Sequence, residues 1–302
     1  MASYLVTGGT GLIGRALIEK LLASSSRITV LTRNGSKISP TWAGSVRYIE
    51  RLNQFPEEEA CEYVVNLAGA PIADKPWSAS RKLELWQSRI DLTNSLVRWI
   101  SERKHRPKTL ISGSAVGWYG DGEDRELDED SKPQPEYTHH LCDAWERSAL
   151  KAVGMGVRVC ISRTGLVLSP DGGFLKKLKL PFKLGLGASI ASGKQYMSWI
   201  HIDDMVNALI FLLSENSNLQ PEGIFNLTAP NPVTNLEFSH SLAQTLGRPC
   251  LFRAPERLLT VTLGEMSRLL TKGQRVIPQK LLNYGFEFHY PELNSALKDV
   301  LG

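Results

Sequence analysis

Cysteine is sparse in this sequence. Cys61, Cys142, Cys160 and Cys250 stand far apart, and no two form a Cys-x-x-Cys pair. That spacing excludes a disulfide-dense secreted scaffold and a cysteine zinc cluster, so no metal site is expected. It leads instead to the expectation of reduced thiols in a cytoplasmic protein. Long apolar runs are missing too, and no stretch is predicted to span a bilayer. Neither sign of charge dominates. Lys and Arg total 35 against 31 Asp and Glu, with no basic block, so neither a nucleic-acid surface nor a membrane tether is expected. The chain opens on a core-type strand rather than a leader, so no signal peptide is expected.

Glycine, by contrast, is concentrated at the start. The apolar strand Tyr4 to Val6 runs into Thr7-Gly8-Gly9-Thr10-Gly11-Leu12-Ile13-Gly14, and an apolar helix follows through Leu17, Ile18, Leu21 and Leu22. Strand, glycine turn and helix in that order are the context of a dinucleotide site. Gly8 permits a tight turn, Gly11 lets a phosphate approach the backbone, and Gly14 lets the helix pack on the strand. The pyrophosphate would sit on free N–H groups at the positive end of the helix dipole.

The next apolar run, Ile28 to Thr32, is followed by Arg33. An acid at that strand end would accept hydrogen bonds from the adenine ribose and favour NAD. An arginine pairs with a 2′-phosphate and favours NADP. Thr32 and Arg33 therefore predict NADP(H). Further strands are predicted at Tyr63–Ala68, ending at Gly69, at 109–114, and at 157–163, with helical segments between them. The alternation implies an α/β fold: a Rossmann-type, doubly wound parallel sheet in residues 1–165. A smaller mixed substrate-side lobe is expected over 166–302, with some segments returning to the sheet. Ligands of such sheets bind at the carboxyl ends of the strands, where Gly8, Arg33, Leu67, Ala68, Gly69, Ser112 and Ser114 fall. Lys75, just past Gly69, is a candidate for a cofactor phosphate. The acidic, proline-bearing stretch 121–136 reads as a loop beside the site.

These blocks resemble the extended short-chain dehydrogenase/reductases, the epimerase/dehydratase group acting on nucleotide sugars and related substrates. The resemblance rests on residues 7–14, on Asn66-Leu67-Ala68-Gly69, on Ser112-Gly113-Ser114-Ala115 leading to Tyr119-Gly120, and on Trp199-Ile200-His201-Ile202-Asp203-Asp204. More narrowly, segments 181–187, 192–196 and 273–278 resemble the atypical branch called "epimerase family protein". The resemblance implies a substrate pocket near Lys194, Gln195, Trp199 and His201. It also implies a serine, here Ser114, that hydrogen-bonds the reacting oxygen.

The resemblance breaks at the catalytic helix. The family mechanism needs a tyrosine acid/base four residues before a lysine. With Glu146 aligned to the family's helix glutamate, Thr138 stands at the tyrosine position and Cys142 at the lysine position. Tyr137 is one residue out of register, a rotation of ~100° on a helix. Tyr119, His139, His140 and Cys142 are conceivable substitutes, with Tyr119 the first candidate for proton transfer because it is a phenol close to Ser114. Two functions follow as expectations. One is an NADP(H)-dependent oxidoreductase or epimerase acting on an unidentified small polar molecule through Ser114 and Tyr119. The other is a non-catalytic NADP(H)-binding sensor or regulator that has lost the acid/base pair.

Overall fold

The computed structural model describes residues 2–35, 39–215 and 220–302. Its centre is a seven-stranded parallel sheet: β1 (Ser3–Thr7), β2 (Arg27–Leu31), β3 (Val46–Ile49), β4 (Tyr63–Asn66), β5 (Thr109–Ala115), β6 (Arg158–Thr164) and β7 (Gly223–Leu227). The order across the sheet is β7-β6-β5-β4-β1-β2-β3. The chain thus winds outward from β1 through β2 and β3, then crosses back to β4 and continues the other way. β1 and β4 meet at the switch point, where a crevice opens at the carboxyl ends of the strands.

Strand residues alternate between the two faces, as the pleat requires. Val6, Val30, Val65 and Ile111 pack with Leu17, Ile18 and Leu21 of α1 (Leu12–Leu22). Leu5, Val64, Leu110 and Val159 pack on the opposite face with Leu96, Val97 and Ile100 of the helix Leu92–Glu102 and with Ala149. Both faces are covered, which is why the strands read as near-continuous apolar runs. Four further helices matter for the site: α2 (Ala79–Trp86), α3 (Leu92–Glu102, just named), α4 (Tyr137–Leu150) and α5 (Gly173–Lys183). α6 (Ile202–Leu213) packs beside α1, and β7 pairs with β6 at the edge of the sheet.

The remaining lobe has its own core of Leu168, Leu175, Phe182, Trp199, Phe238, Leu242, Leu293 and Leu297. The expected loop at 121–136 is interrupted by a short strand, Glu126–Leu127, which pairs with Arg275–Val276. That pairing takes backbone from a segment distant in sequence and is invisible to local pattern. Among the described residues no helix is long and apolar enough to cross a membrane.

Candidate functional site

Gly8 has a φ of +71°, and a Cβ there would lie 2.6 Å from the Leu67 carbonyl carbon. Both the turn and the close approach of β1 to the end of β4 therefore require glycine. A Cβ on Gly14 would collide with the Gly8 carbonyl oxygen, so α1 sits directly on the turn. Gly11 is exposed and caps α1 with backbone alone, without a side-chain hydrogen bond. The first-turn N–H groups of a helix have no partner within it. The resulting cradle is open, edged by Thr10 and Gly11 and with Leu12 and Ile13 partly buried behind. Gly9 serves the core instead, because a Cβ there would meet Ile18 and Val30.

Arg33 is exposed at the end of β2, beside Thr32, whose hydroxyl bonds Asn34. Lys75 is exposed on the loop beyond β4. Both act on one carboxylate. Glu84 of α2 is held below the usual carboxylate range first by its hydrogen bond from Arg81, then by Lys75 and Arg33. Lys177 of α5 pairs with Asp74 at 2.7 Å and so anchors the loop that carries Lys75.

Thr7 is fully buried. Its hydroxyl donates to Asn66 Oδ1 at 2.6 Å and accepts from the Ala68 N–H at 3.2 Å. The Asn66 amide donates to Thr93 at 2.8 Å and Ser112 at 3.2 Å, and Trp145 Nε1 donates to Thr93 at 3.0 Å. This network locks the ends of β1, β4 and β5 to α3 and α4. Thr7 shapes the cleft from behind, and Leu67, Ala68 and Gly69 form its lip.

The other end of the cleft is closed by charge. Ser114 is buried, and its hydroxyl donates to Glu146 Oε1 at 2.6 Å. Glu146 in turn takes a two-pronged contact from Arg163, with Nε–Oε1 and Nη2–Oε2 both 2.9 Å. The Arg163 guanidinium lies 3.4 Å from the Trp118 ring centroid. Ser114 has one proton, and it is committed to Glu146, so toward a ligand the hydroxyl can only accept. Tyr119 is 1% exposed and donates to Asn226 at 2.8 Å, and burial pushes its phenol up to about 12. That placement corrects the expectation of Tyr119 as proton carrier: the hydroxyl is enclosed and partnered, and ionising it is costly.

The other proposed substitutes are similarly occupied. His139 Nδ1 lies 2.7 Å from the Trp118 carbonyl oxygen. Cys142 is buried, and burial pushes its thiol up to about 11, which is opposite to nucleophile activation. Thr138 packs against Gly117. Tyr137 has a buried hydroxyl with no partner among the described residues, and its ring lies 4.8 Å from Trp77.

The residues expected near a substrate do not gather there. Trp199 is fully buried and donates to the Asn231 carbonyl at 3.1 Å, and Gln195 donates to the Ile190 and Leu270 carbonyls. His201 caps α6: its Nδ1 accepts from the Asp203 N–H at 3.1 Å, Nε2 faces Asp299 at 3.1 Å, and its ring stacks on Tyr290 at 3.8 Å. Asp204 accepts the N–H groups of His289 and Tyr290. The block therefore holds the C-terminal segment against α6. His201, Asp203 and Asp299 bring potential ligand atoms within 4.8 Å of one another, but hydrogen bonds already account for both imidazole nitrogens. Only Lys194 of this set is exposed.

Residues 4–228 match the profile of the NAD dependent epimerase/dehydratase family, and residues 254–300 match a domain of unknown function, DUF1731. The chain is 38% identical to "Epimerase family protein SSP1921" of Staphylococcus saprophyticus, covering 100% of both chains. It is 36% identical to a Staphylococcus epidermidis epimerase family protein, SERP0438, covering 100% of this chain and 99% of that one. Among solved structures, human epimerase family protein SDR39U1 (isoform 2) with NADPH superposes with a TM-score of 0.89 at 32% identity, covering 99% of this chain and 98% of that one. A nucleoside-diphosphate sugar epimerase from Corynebacterium glutamicum gives 0.79 at 28%, covering 100% of this chain and 58% of that one. The cradle, the sheet order and these matches over the full length agree: the chain belongs to the NAD-dependent epimerase/dehydratase family, in its atypical short-chain dehydrogenase/reductase branch.

Proposed function

We propose that the protein binds NADP(H) and moves hydride between its nicotinamide and a small polar substrate, as an oxidoreductase or epimerase. The observation that carries this reading is the open glycine cradle between β1 and α1, with Arg33 exposed at the end of the neighbouring strand β2. The residues fit the cofactor: Gly11 leaves the start of α1 exposed, and α1 offers uncapped N–H groups to a pyrophosphate. Arg33 and Lys75 would hold the 2′-phosphate. When bound, the cofactor supplies the hydride acceptor or donor. Ser114, its proton fixed on Glu146, presents lone pairs and so would receive a substrate hydroxyl. NADPH in the human relative's crystal supports the cofactor choice.

The test is a titration of NADPH and NADH by fluorescence, followed by a screen of carbonyl compounds and nucleotide sugars at the reduced-nicotinamide band. NADPH should bind the more tightly, and a substrate should change the absorbance. Equal affinities would remove the NADP preference. A second reading, a non-catalytic NADP(H) sensor or regulator, is favoured by the enclosure of Tyr119 and by Thr138 and Cys142 in the catalytic positions. Tight NADPH binding without turnover on any substrate would select it.

A further inference from the structure

Between α2 and α3 the helix widens into a π turn, Gln87–Asp91. Such turns are rare and often sit at functional positions. This one directs Ser88 and Arg89 at the lip of the cleft. Ser88 Oγ accepts from the Ala70 N–H at 3.0 Å, and Arg89 Nη2 donates to the Ala70 carbonyl at 2.9 Å. Arg89 Nη1 reaches the Leu85 carbonyl at 3.3 Å and Ser88 Oγ at 3.4 Å. A guanidinium has more N–H donors than these three acceptors use.

The surroundings of Arg89 are unusual for a partly buried cation. Among the described residues no carboxylate pairs with it. Burial lowers its pKa, yet a guanidinium stays charged. Its Cζ lies 5.3 Å from the Trp145 ring centroid on one side. On the other side it presses on Gly69, where a Cβ would stand 3.0 Å away. Gly69 is exposed, so the missing side chain brings the guanidinium edge to the cleft. The charge also reaches Tyr137 and Cys142 on α4. A cation held out of water without a counter-charge is costly unless something else receives its hydrogen bonds.

Position tells what that is. A dinucleotide lies across the carboxyl ends of the strands, with its pyrophosphate on α1. Arg33 marks the adenosine half at β2. The other half must then extend across the ends of β4 and β5, where Gly69 and Arg89 stand. We propose that Arg89 is a cofactor-binding residue whose guanidinium donates to the hydroxyls of the nicotinamide-side ribose. It brings to this end of the cleft a positive charge that α4, which contains no lysine, does not. The inference rests on the NADP(H) reading above.

Two ligands separate its parts. Adenosine 2′,5′-bisphosphate has the adenine, one ribose and both phosphates, but no second ribose. NADPH has all of them. Calorimetric titration of the full chain should show Arg89→Met weakening NADPH by about tenfold or more, the loss of a charge-assisted contact. The bisphosphate should bind as before, and Arg89→Lys should recover part of the NADPH affinity. Arg33→Ala should weaken both ligands. Gly69→Ala, which pushes the guanidinium aside without removing it, should repeat the selective loss and keeps the test available if Arg89→Met does not fold. Unchanged NADPH affinity in these variants, or equal losses for the two ligands, would overturn the assignment of Arg89 alone. Failure of the unaltered chain to bind either ligand would overturn the cofactor reading and this inference together.

Discussion

At the α1 end of the cleft the surface offered to a ligand is backbone, bared by glycine. At the α4 end it is side chain, and those side chains are already bonded to one another. Gly8 and Gly14 let the turn and α1 pack closely, and the first-turn N–H groups of α1 stay uncapped, whereas the side chains of Glu146, Arg163, Tyr119 and Asn226 bond one another or Ser114. The contrast has a physical root. A pyrophosphate needs only a fixed concave set of donors, which a turn and a helix end supply. Proton transfer needs a group able to change its charge, and burial at the α4 end makes ionisation of Tyr119 and Cys142 harder. A protein can therefore keep the first end and remodel the second, and both proposed functions follow from how far the remodelling has gone.

The sharpest way to break this comparison is to open the α4 end. Glu146→Ala would leave Arg163, 1% exposed, without its counter-charge and Ser114 without its acceptor. Removing one partner of a buried pair costs about 3–5 kcal/mol. Chemical denaturation should show a loss of that size, while Arg147→Ala, on the exposed pair with Asp143, should change stability by less than about 1 kcal/mol. Equal effects would mean that the buried pair holds nothing together.

Opening the α1 end should act on binding as well as stability. Gly8→Ala forces a side chain into positive φ and against the Leu67 backbone, a strain of about 1–3 kcal/mol. NADPH affinity should fall with it, because the turn that aims the α1 N–H groups must shift. A variant that keeps full NADPH affinity would show that the cradle is not where the phosphates sit. Arg33→Ala tests the same end more finely. It should weaken NADPH by about 1.5–3 kcal/mol and leave NADH nearly unchanged, as measured by paired titrations.

The two ends also differ in how legible they were. Residues 7–14 carry their structure in local pattern: strand, turn and helix lie within one short segment. The seven-stranded sheet was readable for the same reason, since apolar strands alternate with amphipathic helices. The α4 end is built from residues distant in sequence. Glu146, Arg163 and Ser114 come from three elements, and Tyr119 meets Asn226 from 107 positions away. Proximity of Tyr119 to Ser114 in sequence said nothing of which way the ring would turn. Trp199 was expected to face a ligand because a motif fixes neighbours along the chain, whereas its burial depends on distant partners such as Phe238 and the C-terminal helix Leu293–Leu301. Arg89 gave no signal at all, since a π turn has no distinctive periodicity in a single sequence.

The smallest effect expected at neutral pH comes from Tyr119, and it tests directly whether the α4 end is closed. Tyr119→Phe removes the hydrogen bond to Asn226 while keeping the ring against Trp118 and the Arg163 guanidinium. One neutral hydrogen bond amounts to about 1 kcal/mol, and an orphaned Asn226 carbonyl adds to it. Any turnover found for the protein should survive this change. At high pH the sign reverses. Burial raises the folded phenol from 10.0 to about 12, so its stability contribution is complete below the unfolded value. As pH rises through 10 toward 12, the unfolded chain ionises first and that contribution drains away, by about 3 kcal/mol for a shift of this size. Tyr119→Phe lacks this titration, so its alkaline unfolding should be shallower than that of the unaltered chain. Parallel slopes between pH 10 and 12 would mean that Tyr119 ionises freely, and the α4 end would then be open enough for the phenol to carry a proton.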